Sequence, residues 1–195
     1  MKKLEGQVAL ITGGSRGLGR GMTFAFAEAG MKVAFNYLQA TEAAQEVVKG
    51  VEERGSEAFA KQADITQEKD VEDLVSEVLE RYGKIDILIN NAGVAFPKAF
   101  NDMSINDWDK VQGVHVRGMF LCSHFVVPGM IERGKGNIIN MVGSFGIKPE
   151  GLFAHVSAAK ASMIAFTRAL AHELSPQGVR VNAVCPAMIK TEMIE

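Results

Sequence analysis

The stretch Val8-Ala9-Leu10-Ile11-Thr12-Gly13-Gly14-Ser15-Arg16-Gly17-Leu18-Gly19 decides the fold. A short apolar run stops at a glycine-rich turn, and the residues from Gly17 to Ala29 then read as a helix. This order puts the turn at a helix N-terminus, where unpaired N–H groups and the positive end of the macrodipole can hold a pyrophosphate. Gly13 allows the tight turn, Gly17 lets the backbone approach phosphates closely, and Gly19 lets the helix pack against the strand. The spacing is Gly-x-x-x-Gly-x-Gly rather than Gly-x-Gly-x-x-Gly. A glycine cluster alone can also be an ordinary flexible turn, so the rest of the chain has to arbitrate.

Outward from this stretch, short strand-like runs alternate with longer amphipathic ones. Val8 to Thr12, Lys32 to Tyr37, Ala58 to Ala63, Ile85 to Ile89, Asn137 to Met141 and Val179 to Val184 read as strands. Gly17 to Ala29, Thr41 to Glu53, Glu68 to Arg81, Ser104 to Glu132 and Phe153 to Glu173 read as helices, with a bend expected at Pro128-Gly129. Strands separated by crossovers of this length must pair in parallel, and a parallel sheet needs helices on both faces. The expectation is an α/β fold: a Rossmann-type, doubly wound parallel sheet forming a single domain over residues 1–195. No internal repeat or linker-like composition shift marks a boundary.

The 195 residues carry 21 Lys+Arg against 23 Asp+Glu, a net charge of −2, and 47% are apolar. That share excludes a disordered chain, and the charge balance argues against a polyanion-binding surface, so no nucleic-acid partner is expected. Cys122 and Cys185 lack metal-ligand spacing, so neither a metal site nor a disulfide framework is expected. Lys2 and Lys3 precede an apolar run too short for a signal-peptide core. No apolar stretch reads as approaching the roughly 18 residues that span a bilayer. A cytoplasmic setting without a membrane partner is the expectation.

Further residues give the glycine turn company. Asn90-Asn91-Ala92-Gly93 closes the fourth strand, Ala63-Asp64-Ile65 follows the third, and Trp108-Asp109, Gly118-x-Phe120, Gly136-Asn137-Ile138-Ile139-Asn140 and Val179-Arg180-Val181-Asn182-Ala183-Val184-Cys185-Pro186 follow in order. Together they resemble the short-chain dehydrogenase/reductase family along the whole chain, with a flavour of 3-oxoacyl-acyl-carrier-protein reductases and related carbonyl reductases. The resemblance implies a nicotinamide cofactor held by Gly13, Ser15, Arg16, Gly17, Leu18 and Gly19. It also implies an adenine-contacting turn at Asp64 and Ile65, and further cofactor contacts from Asn91, Ala92, Gly93 and Lys160. Pro186-Ala187-Met188-Ile189-Lys190-Thr191 is similar to the segment that lies against the nicotinamide, which adds Pro186, Ile189 and Thr191.

The family's catalytic group is Asn, Ser, Tyr and Lys, the last two spaced Tyr-x-x-x-Lys. Here Lys160 is present, Val156 stands at the tyrosine position, Gly143 at the serine position and His115 at the asparagine position. The chain has two tyrosines, Tyr37 and Tyr82, and neither reaches the site by a small change of register. Carbonyl reduction needs a proton at the oxygen as hydride reaches the carbon, and losing one positioned acid removes on the order of 10² to 10⁴ in rate. His115 beside Lys160 is a candidate replacement acid with a pKa near neutrality; the alternative is an imidazole bonded to a carbonyl or a water. Ser144, one residue past the serine position, is read as pointing away from the cleft. His155 is read as a solvent or interface residue.

Arg16 is a candidate partner for a 2′-phosphate, and Phe35-Asn36-Tyr37-Leu38 supplies no acidic residue for a free ribose 2′-hydroxyl, which favours NADP(H) over NAD(H). Phe96, Phe145, Phe153 and Met188 say only that the pocket is apolar, and the resemblance implies an apolar carbonyl or hydroxy compound as substrate. By resemblance the long helices pair across a two-fold axis into a homodimer or homotetramer, through segments that carry Val111, Val114, Met119, Phe120, Phe125, Met163, Ile164, Phe166 and Leu170. Relatives continue beyond the position of Glu195 into a substrate-covering lid, so the expectation is either a pocket without that lid or a piece of a longer chain. Three functions stay open: a carbonyl reductase or alcohol dehydrogenase with impaired or altered catalysis, a redox-silent cofactor-binding protein, and a repurposed lyase, isomerase or cyclase.

Overall fold

The computed structural model describes residues 4–187 and residue 189. Six parallel strands, β1 (Val8–Ile11), β2 (Lys32–Tyr37), β3 (Ala58–Gln62), β4 (Ile87–Asn90), β5 (Gly136–Met141) and β6 (Val179–Val184), form one sheet in the order β3-β2-β1-β4-β5-β6. The order reverses between β2 and β4 around β1, which opens a crevice at the carboxyl ends of these strands. Register runs Ile11 beside Phe35 on one flank and Ile89 on the other. The glycine turn therefore emerges beside the ends of β2 and β4.

Alternation along β1 explains how helices cover both faces. Val8 and Leu10 join Leu74, Leu121, Val126 and Ile138 in one core cluster, whereas Ala9 and Ile11 join Ala27, Val47 and Phe35 in the other. A period of two on a sheet buried on both sides needs apolar residues at every position, and all four residues of β1 are buried. The first layer holds α3 (Glu68–Tyr82) and α5 (Gly118–Glu132); the second holds α1 (Gly17–Glu28) and α2 (Thr41–Glu52). Gly83 closes α3 at φ 75°, a left-handed conformation that costs other residues strain. Before β4, buried Asp86 accepts from the Val8 N–H at 2.9 Å and pairs with Lys84 at 3.0 Å, tying the strand starts together.

The expected long helix from Ser104 is interrupted in a different place from the one expected. Ser104 caps α4 (Ile105–Gln112) through a reciprocal bond pair with Asp107. A π-helical turn over Gly113–Arg117 then leads into α5, which continues through Pro128. The departure from α-helical bonding is thus at His115, not at Pro128-Gly129. The helical segment Ile105–Glu132 is 28 residues long and contains a stretch apolar enough by length and composition to cross a membrane. This corrects the reading that no such stretch exists; here its apolar residues Leu121, Cys122, Val126 and Met130 pack into the core. The sixth helix, α6 (Ala154–Leu174), lies against β6 and α4.

Candidate active site

The glycine turn is built as the sequence reading requires. Gly13 has φ 68° and Gly17 φ 51°, conformations that favour glycine. A Cβ on Gly19 would lie 2.0 Å from the Gly13 carbonyl oxygen, so α1 starts where only glycine fits. Gly14 adds a constraint invisible in the motif, because a Cβ there would fall 2.4 Å from Cβ of Phe35 on β2. Arg16 sits exposed at the N-cap of α1, and no side chain caps the first turn. Ser15 is buried, Leu18 half-buried, and the first-turn N–H groups have no capping side chain and no acidic neighbour. A turn with no room for a Cβ at Gly14 or Gly19, at an uncapped helix N-terminus, fits a phosphate-bearing cofactor.

Two turns flank this cradle. After β4, Asn91 donates through Nδ2 to the Thr12 carbonyl at 2.9 Å and to the Gly13 carbonyl at 3.2 Å. Thr12 Oγ1 accepts from the Asn91 and Ala92 N–H groups, each at 2.9 Å. Asn91 thus spends its amide on holding the glycine turn. After β3, Asp64 Oδ1 accepts from the Thr66 N–H at 2.9 Å and its hydroxyl at 2.8 Å, while the Asp64 N–H donates to Asp70. Ile65 is buried against Gly118, where a Cβ would come within 2.6 Å of it.

Lys160 emerges from α6 and donates from Nζ to the Met141 carbonyl at 2.8 Å, at the end of β5. Among the described residues no carboxylate pairs with it, and burial pulls its pKa down to about 8. One turn earlier Val156, 1% exposed, packs in an apolar cluster with Val111, Phe96, Phe145 and Phe153. Gly143 heads a short 3-10 turn (Ser144–Gly146) at φ 76°. Phe145 and Phe153 stack with centroids 4.7 Å apart. Pro186 is half-buried and Ile189 exposed, and Thr191 and Met188 lie outside the described residues.

His115 takes the alternative reading, a ring bonded to a carbonyl, and His155 differs from its reading. His115 is buried in the π turn, and its Nε2 lies 2.9 Å from the carbonyl of Val94, with Nδ1 unpartnered. Burial first, and then the Lys160 charge, push its pKa down to about 3. A neutral imidazole is not the near-neutral replacement acid that was a candidate: desolvation takes away the proton it would donate. His155 is neither a solvent nor an interface residue here. Its ring is fully buried edge-on against Phe96, 4.9 Å between centroids, and both nitrogens lack partners. The first turn of α6 is wedged under Phe96, which a helical wheel of α6 alone does not reveal.

The His115 shift has a testable sign. Its folded pKa lies below the ordinary 6.5, so the unfolded chain takes up the proton first and stability falls as pH drops from 6.5 towards 3. His115→Asn should remove a loss on the order of 2 kcal/mol at pH 5. Thermal melts of both proteins between pH 7 and 4 check this, and parallel acid profiles would show that the ring is hydrated.

Comparison with known proteins agrees with this geometry. The short chain dehydrogenase model matches residues 7–195. This chain belongs to the short-chain dehydrogenase family. A 3-oxoacyl-[acyl-carrier-protein] reductase from Synechocystis sp. is 40% identical over 195 residues, covering 100% of this chain and 79% of that protein. A 3-ketoacyl-(acyl-carrier-protein) reductase from Brucella melitensis, solved in complex with NADH, superposes with a TM-score of 0.93 at 34% identity, over 98% of this chain and 80% of its own. An NAD+-bound xylitol dehydrogenase gives 0.92 at 33% identity, over 95% and 72%. Neither Asn36 nor Gly14, whose contacts shape the turn, was singled out from the sequence as a site residue. An amide at the end of a buried strand next to a glycine turn was the available signal for Asn36.

Proposed function

We propose that this chain is an NADP(H)-binding reductase of apolar carbonyl compounds of the 3-oxoacyl type, with chemistry slowed and altered at the proton-donating side. The observation that carries the reading is the glycine cradle at the uncapped N-terminus of α1, beside the switch point of the sheet. Gly13, Ser15, Gly17, Leu18 and Gly19 hold the pyrophosphate; Asp64 and Ile65 border the adenine; Asn91, Ala92 and Gly93 form the floor; and Pro186 and Ile189 lie towards the nicotinamide. When bound, the cofactor supplies the hydride.

The chain's own residues manage the proton and the substrate. Val156 offers none, and His115 is neutral and bonded to Val94. Lys160 keeps a proton at Nζ at neutral pH and spends only one N–H on the Met141 carbonyl, which leaves donors for the ribose and for the substrate oxygen or a water next to it. Phe96, Phe145 and Phe153 exclude water and favour an apolar chain. The buried, apolar surroundings of Val156 and the left-handed Gly143 also favour a second reading, a cofactor-binding protein without turnover. The setting proposed is cytoplasmic. Two copies would pair through α5 and α6, where Phe120 remains 47% exposed and stacks on His124.

Titration with NADPH and NADH, followed by nicotinamide fluorescence, tests the reading. Saturable binding is expected, tighter for NADPH, with Arg16→Ala costing about tenfold for NADPH and little for NADH, the size of one charge-assisted bond. Absence of binding by a folded protein would reduce the oxidoreductase reading to ancestry.

A further inference from the structure

Asn36 is 4% exposed near the end of β2, between the glycine turn after β1 and the Asp64 turn after β3. Its Oδ1 accepts from the Gly13 N–H at 3.0 Å, and its Nδ2 donates to the Ala63 carbonyl at 2.8 Å. Its own carbonyl accepts from the Gly14 N–H at 3.1 Å. The amide's orientation is fixed by its neighbours, because the flipped form would set NH₂ against an N–H and oxygen against a carbonyl. Gly13 begins the glycine turn, and Ala63 immediately precedes Asp64.

These turns belong to β1 and β3, which are not neighbours in the sheet; β2 lies between them. Two strand spacings, roughly 10 Å, separate their ends. Oδ1 and one N–H of the Asn36 amide are engaged inward and the residue is 4% exposed, which suits it to holding the turns rather than to reaching a ribose or a phosphate. It acts instead on the distance between the two turns. A buried amide with both ends paired stiffens what it joins, and removing it leaves a donor and an acceptor orphaned on opposite sides.

We propose that Asn36 is a positioning residue that fixes the glycine turn against the Asp64 turn, and so sets affinity for the adenosine half of the dinucleotide and not the nicotinamide half. This rests on the reading of the cradle as a dinucleotide site. The two halves part company because the adenosine half is bordered by both turns that Asn36 joins, whereas the residues placed near the nicotinamide, Pro186 and Lys160, follow β6 and lie on α6. Asn36→Asp keeps the acceptor for Gly13 but sets a carboxylate oxygen against the Ala63 carbonyl, so it should release only the Asp64 side. Asn36→Ala releases both.

The experiment is calorimetric titration of wild type, Asn36→Ala and Asn36→Asp with 2′,5′-ADP, NMR titration with reduced nicotinamide mononucleotide, and amide exchange of the ligand-free proteins. Asn36→Ala should weaken 2′,5′-ADP by about 10- to 100-fold, the effect of orphaning two buried groups, and leave the mononucleotide unchanged. Exchange should accelerate over residues 12–19 and 62–67 in Asn36→Ala, and over 62–67 alone in Asn36→Asp. Equal losses for both fragments would mean general loosening and overturn the proposal, as would unchanged exchange in Asn36→Ala. If wild type binds neither fragment but exchange still follows this pattern, the cofactor reading falls and the brace between the turns stands.

Discussion

Turnover of a 3-oxoacyl thioester with NADPH should rise by about 10² to 10⁴ in the triple variant Val156→Tyr, Gly143→Ser, His115→Asn, the range a positioned acid contributes. The structure says why no single change suffices. A tyrosine at 156 enters a cluster that already holds Val111, Phe96 and Phe153, at a position 1% exposed. Overpacking of this sort costs about 1–3 kcal/mol. A serine at 143 must adopt φ 76°, where a side chain is strained by roughly 1 kcal/mol, or force the following turn to move. Asparagine for His115 takes away the ring that packs on Gly93, where a Cβ would touch it at 2.5 Å. The measurement is NADPH consumption with purified variants alongside their melting temperatures. A variant that folds, binds NADPH and still shows no rate above wild type would refute the idea of a reductase held back by these three positions, and would favour the redox-silent reading.

The same residues show what a sequence can and cannot reveal. The parallel α/β sheet and the cradle were legible because they rest on local signals: glycines where φ is positive, apolar runs of strand length, and crossovers too long for hairpins. The relation of Val156 to Lys160 was legible as a spacing of four on one helix. Contacts between residues distant in sequence were not. Asn36 reaches 23 residues back and 27 forward, and His155 is buried by Phe96, which lies on another segment. The π turn at Gly113–Arg117 was missed for a related reason. Its signal is the seating of His115 against Val94, whereas Pro128, the residue that usually breaks helices, is accommodated within α5. Burial also separates the two readings of His115: its residue type allows a near-neutral acid, and its surroundings favour a neutral ring bonded to the Val94 carbonyl.

Lys160→Met separates what the lysine does for the fold from what it does for the site. A buried ammonium without a carboxylate partner among the described residues is a burden on the native state, seen in its pKa of about 8 against 10.5. Because the folded value lies below the unfolded one, the burden is full below pH 8 and is relieved as pH rises from 8 to 10.5, where the native lysine sheds its proton first. At pH 7 the substitution should therefore stabilise the protein by on the order of 2 kcal/mol, after about 1 kcal/mol is lost with the bond to the Met141 carbonyl. The gain should shrink towards pH 10. Binding of NADPH and any turnover should fall together if, as proposed, one Nζ serves both the ribose and the proton. Denaturant melts at pH 7 and pH 10, paired with the fluorescence titration, distinguish the cases. A destabilised variant at pH 7 would place a carboxylate near Nζ and raise its pKa, whereas a stabilised variant that binds NADPH as well as wild type would remove Lys160 from the cofactor site.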